Sequence, residues 1–265
     1  MRSGDYHLDS RYLVMSVFKK IMNIFNTPIE DGEHIEYFND GQIFSRKNYK
    51  DGKVNGKCTW YYRNGRIFRE EMYKDGIRHG KDIGYYENGQ IETKGFYKDE
   101  KVDGKMTWYY ENGQTSQVGN HTDGEREGKW YSYYENGQIK DEGKYSDGKP
   151  DGKSTGYYEN GQLEQETHYK DGKEDGIRTS WYENEQKRSE GTFKNGKEDG
   201  ITTNWYENGQ KKSEGSFKDG ESEGKLTLWD ENGQKRIEGT FKNGKEDGKW
   251  TYYNEDGSVK EVKEY

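Results

Sequence analysis

The stretch Trp205-Tyr206-Glu207-Asn208-Gly209-Gln210-Lys211-Lys212-Ser213-Glu214-Gly215-Ser216-Phe217-Lys218-Asp219-Gly220 decides the fold. It carries two turn signals, Asn208-Gly209 and Asp219-Gly220, with a strand-length run between them. Asn-Gly between alternating residues is a strong hairpin signal, because a type I′ turn needs positive φ at both central positions. The reading is that Trp205-Tyr206 runs into a two-residue Asn-Gly turn. Lys211 onward returns antiparallel, and the Asp-Gly segment then reverses the chain through a longer loop.

The segment recurs along the chain. Its first aromatic falls at Tyr37, Tyr61, Tyr85, Tyr109, Tyr133, Tyr157, Trp181, Trp205, Trp229 and Tyr253, always 24 residues apart. A register kept without insertion indicates stacked or recently duplicated units. The expected fold class is all-β: an elongated single-layer antiparallel β-meander of tandem 24-residue β-hairpin repeats over residues 37–265, about nine full units and a partial last one. Two-residue Asn-Gly loops would set Tyr86 opposite Ile91 and Tyr85 opposite Glu92. Strand alternation then puts Tyr86, Ile91, Gly95 and Tyr97 on one face, and Tyr85 with Thr107 on the other. Glu100 and Glu185 replace turn glycines and are expected to disturb their units.

Composition explains why such a fold needs its aromatics. Only 27% of residues are hydrophobic and 35% are charged, which favours disorder over a two-layer core. The 24 Tyr, 9 Phe and 7 Trp supply the apolar area instead. The net charge of −8 and the lack of a local Lys/Arg block make nucleic acid an unexpected partner. Cys58 is the single cysteine, so no intramolecular disulfide forms. No apolar run is long enough for a membrane span. The expected location is cytoplasmic.

Residues 1–36 lie outside the period. Asp9-Ser10 reads as a helix cap, followed by an amphipathic pattern of Val14, Phe18, Ile21, Met22 and Phe25. A short N-terminal helix is therefore expected, as a cap on the first edge strand, a partner- or surface-binding helix, or part of a leader. Met15 is an alternative start.

Glu238-Gly239-Thr240-Phe241-Lys242-Asn243-Gly244-Lys245-Glu246-Asp247-Gly248-Lys249 resembles the core of a MORN repeat. The Tyr-Tyr-Glu-Asn-Gly-Gln turn resembles the MORN-variant repeat of bacterial proteins, some of them classed as antitoxins of toxin–antitoxin systems. The resemblance spans roughly residues 36–265. It implies a repeat scaffold, with a protein partner such as a toxin. Ser189, Ser213 and Ile237 stand where that family usually has tyrosine.

No catalytic constellation is legible. His7, His34, His79, His121 and His168 fall at unrelated positions, so neither triad nor metal spacing appears, and no cofactor or metal is expected. His121 stands where neighbouring units have Tyr97 and Tyr145, and reads as a structural substitute. A single layer cannot bury both faces, so one aromatic row is the candidate binding row: Tyr61, Tyr85, Tyr109, Tyr133, Tyr157, Trp181, Trp205 and Trp229. The expected function is a non-catalytic scaffold for protein–protein interaction, antitoxin-like by the resemblance. Two alternatives stay open: recognition of cell-wall carbohydrate or choline, suggested by Gly128-Lys129-Trp130-Tyr131-Ser132-Tyr133-Tyr134, and a membrane-surface adaptor, for which membrane contact is not favoured.

Overall fold

The structure is a computed structural model and describes residues 29–265. It is all-β: 23 strands form one antiparallel sheet, from Gly32–Tyr37 to Val259–Glu264. Each long strand pairs with its predecessor and its successor, so the sheet is an open meander with no crossover. The first strand, Gly32–Tyr37, begins ahead of position 37, where the period opens. The expected N-terminal helix lies outside the described residues.

The two turns exchange the roles expected of them. At the Asp-Gly turn both residues have positive φ, 50° at Asp51 and 70° at Gly52, and Lys50 pairs directly with Lys53. This is the two-residue type I′ hairpin. At the Asn-Gly turn only the glycine is left-handed, with φ 81° at Gly65. The Gly65 N–H donates to the Tyr62 carbonyl at 3.0 Å, and the Tyr62 N–H donates to the Arg66 carbonyl at 2.8 Å. The Asn64 side chain accepts the Arg66 N–H at 2.9 Å. A type I turn followed by a left-handed residue gives a three-residue loop with a bulge. The register moves accordingly: Tyr85 faces Ile91 and Gly84 faces Thr93, which corrects the expected Tyr86–Ile91 and Tyr85–Glu92 pairs.

Directly paired residues share a face, so the register defines both sides. Thr59, Glu70, Ile83, Lys94, Thr107, Val118, Tyr131, Glu142 and Thr155 follow one another across the sheet. We call this the threonine face. Cys58, Glu71, Asp82 and Gly95 run the same way on the opposite side, the glycine face.

The glycine face holds the apolar core. Cys58, Trp60, Met106, Trp130, Phe193 and Trp250 are buried there, with no second layer among the described residues. The device is a large side chain laid over glycine on the neighbouring strand. A Cβ on Gly119 would stand 2.2 Å from the Trp130 indole, and one on Gly239 equally close to Trp250. Rings thus lie over glycine backbone. Cross-strand contacts of this kind contribute about 0.2–1 kcal/mol each, and their repetition stands in for a core.

Units are also stitched at both margins. The Tyr86 hydroxyl donates to the Tyr109 carbonyl, Tyr110 to Tyr133, Tyr134 to Tyr157, and Tyr206 to Trp229, at 2.6–2.9 Å. At the other margin the Gly124 N–H donates to the Val102 carbonyl at 2.9 Å, one of a series. Glu100 and Glu185 adopt left-handed φ of 71° and 66°, so their units keep the common geometry rather than breaking it.

Candidate binding surface

The sheet places Tyr61, Tyr85, Tyr109, Tyr133, Tyr157, Trp181, Trp205 and Trp229 at the ends of alternate long strands, one per unit, beside the turns that follow them. Tyr85 lies two residues beyond Ile83, hence on the threonine face with Thr107, as expected. All eight side chains are half-buried. Four of them meet charged neighbours. The Tyr85 hydroxyl donates to Glu70 at 3.3 Å and that of Tyr157 to Glu142 at 3.1 Å. The Lys187 and Lys211 ammonium groups sit 5.8 Å from the rings of Trp205 and Trp229. Burial and the Glu70 carboxylate raise the Tyr85 phenol pKa, so it stays a donor. Beside the row, Thr107, Thr155, Thr179, Thr203, Thr227 and Thr251 are buried.

The glycine face has three regions. In the early units, larger residues replace the glycine device. Arg69 makes a two-point bond to Asp82, at 2.8 and 2.9 Å, and also meets Glu71 at 3.1 Å. The Tyr73 hydroxyl donates to Glu71 at 2.9 Å. Burial raises the Glu71 carboxyl pKa even with Arg69 beside it. Burial likewise pushes the Cys58 thiol up to about 11, which makes it a poor nucleophile. Mid-array, Trp108, His121, Trp130 and Tyr145 form a ring cluster with centroids 5.0–6.2 Å apart, and the Arg126 guanidinium lies 4.2 Å above Trp130. Burial and then Arg126 lower the His121 pKa, so a neutral imidazole fills the ladder position.

In the later units the same face opens. A recess of about 200 Å³ lies between Arg178 and Leu226, floored by Gly191 and Gly215 and edged by Ser189, Thr202, Asn204 and Phe217. Asn204 Nδ2 donates to Ser213 Oγ at 2.9 Å, and Arg178 stacks 4.3 Å above Phe193. Sequence reading missed this recess. Its signal was present: position 202 is the repeat equivalent of Trp130 and Trp250, and it holds Thr202.

Among the described residues no group of His, Cys, Asp and Glu could hold a metal ion. No described helix is long and apolar enough to cross a membrane.

The model of the MORN repeat variant family matches ten times in tandem, at residues 30–51, 54–75, 78–99, 102–123, 126–147, 150–171, 174–195, 198–219, 222–243 and 246–265. No curated protein matches the chain. Solved structures that resemble it include "Crystal Structure of TcdB2-TccC3-Cdc42" and "Crystal Structure of TcdB2-TccC3", each at 15% identity over 83% of this chain, with TM-scores of 0.21 and 0.22. The chain spans only 13% of the length of those chains. The family matches run through the whole described sheet, one per hairpin unit, and the chain belongs to the MORN repeat variant family.

Proposed function

We propose that this chain is a non-catalytic scaffold that holds a protein partner along its threonine face, with masking of a toxin as the finer form of that role. The observation that carries the reading is the aromatic row from Tyr61 to Trp229. It repeats once per unit on a face that no second layer covers among the described residues, and its rings are half-buried. Tyr and Trp with one apolar and one wet end are the residues that dominate protein interfaces. The family is generally a repeat scaffold, which agrees with the reading.

The test is capture from the native host with the full chain, followed by the double substitution Trp205→Ser with Trp229→Ser. A stoichiometric protein partner should be recovered. Its affinity should fall on the order of thirtyfold or more in the variant, as for interface tryptophans. A partner held equally well by the variant would remove this face from the account.

The recess at Arg178 favours a second reading, recognition of a saccharide. It combines hydroxyl and amide groups of Ser189, Thr202, Asn204 and Ser213 with the Phe217 ring. Binding of purified wall glycan, abolished by Asn204→Leu, would support that reading; no retention on wall material would end it.

A further inference from the structure

Lysines scattered through the sequence become a line in the fold. Positions 57, 81, 105, 129 and 153 are all lysine, one per unit, and all five are exposed. Each lies two residues from a threonine-face position (Thr59, Ile83, Thr107, Tyr131 and Thr155), so all project from that face. Lys57 is paired with Glu70, and Lys153 with Glu166. At Lys81 and Lys105 that partner is lost, because Lys94 and Val118 stand where other units have glutamate, while Glu142, at the same place beside Lys129, accepts the Tyr157 hydroxyl at 3.1 Å instead. Lys81, Lys94, Lys105, Lys129 and Lys144 are exposed, and none has an ion-pair partner among the described residues. The chain's charge of −8 hides a local cationic stripe.

The stripe is narrow. Nearer the Asp-Gly turns runs a mostly acidic column, Asp103, Glu127, Asp151, Asp175 and Asp199. Glu127 accepts the Asp147 N–H there at 3.2 Å, and Asp175 accepts the Asn195 N–H. On the other side lie Glu142 and Glu166. A broad anion, such as a lipid surface or a nucleic-acid duplex, would lie over these carboxylates as well as the lysines. Only a chain about one residue wide can follow the lysines alone.

Spacing narrows the choice further. Two strands per unit, at 4.7–4.9 Å each, set successive lysines about 9.6 Å apart along the array. A polyproline II helix rises 3.1 Å per residue and turns every three residues, so every third side chain faces the same way about 9.3 Å apart. We propose that Lys81, Lys105 and Lys129, flanked by Lys94 and Lys144, bind an extended acidic peptide segment laid along the array, with a carboxylate at every third residue. The segment would belong to a protein partner, so the inference rests on the threonine face being the protein-binding side. The bond is ionic and made at exposed groups, so it is salt-sensitive.

The probe is a fluorescein-labelled peptide of four Glu-Pro-Pro triplets, followed by anisotropy with the full chain. The control peptide has the same composition with its glutamates contiguous. The triplet peptide should bind at least tenfold more tightly than the control. Lys105→Glu with Lys129→Glu should weaken it tenfold or more, and the neutral pair Lys105→Gln with Lys129→Gln should weaken it less. Lys242→Glu, away from the stripe, should leave it unchanged. Circular dichroism and melting of each variant separate lost binding from lost fold. Equal affinity for the two peptides, no effect of the charge reversal, or preferential binding of phosphatidylserine vesicles or an oligonucleotide would overturn the proposal. A captured partner that needs Trp205 and Trp229 but ignores Lys105 and Lys129 would also overturn it, while leaving the scaffold reading in place.

Discussion

Glu100 and Glu185 occupy left-handed backbone where other units place glycine, yet they differ in what their side chains do. Glu100 binds the Arg78 guanidinium at 3.0 Å and accepts the Arg78 N–H at 2.8 Å. Glu185 sits in an exposed turn whose backbone bonds match those of its neighbours. A non-glycine residue in this region costs about 1–2 kcal/mol. Glu185→Gly should therefore stabilise by about 1 kcal/mol in denaturant unfolding, whereas Glu100→Gly gains nothing because the Arg78 contacts go with it. His121 gives a pH signature at the same scale. A base whose pKa falls on folding is neutral in the folded chain while the unfolded chain still takes up a proton. Its contribution is whole above pH 6.5 and is lost as pH falls from there toward the folded value. Melting temperature should drop over that window, and His121→Tyr, the residue of neighbouring units, should flatten the drop. An equal slope in both proteins would show that His121 does not titrate on unfolding.

At the scale of the element, the sequence carried the existence of strands and turns but not their exact pairing. Asn-Gly and Asp-Gly are both type I′ signals, so dipeptides alone assign them equally. The deciding contact is the Asn64 side chain on the Arg66 N–H, which closes the turn with Asn64 outside the left-handed region. That single choice adds a residue to the loop and shifts the partners of Tyr85. Facing survived the shift for Tyr85 and Thr107 because the bulge absorbs the extra residue. The hydroxyl stitch was also invisible, since it joins residues 23 apart, such as Tyr134 and Tyr157. Tyr134→Phe should cost about 1 kcal/mol, the ordinary net value of one such bond. A loss near zero would mean that water replaces the phenol without cost.

At the scale of the molecule, repetition converts small local rules into long surfaces. The aromatic row was legible because its period is plain in the sequence. The recess at Arg178 was not, because it depends on which large side chains are missing between Trp130 and Trp250. The lysine stripe was hidden for a related reason: its members never approach one another in sequence, and only the strand spacing brings them into line. Such an array is stabilised chiefly between neighbouring units, so a partner that spans several units would bind and brace it at once. Hydroxyl-radical footprinting of the full chain, alone and with its captured partner, tests the central claim most directly. Protection is expected at Tyr109, Tyr133, Trp205 and Trp229, with Tyr97 and Phe217 on the glycine face unchanged. Protection confined to Tyr97, Phe217 and their neighbours would contradict it.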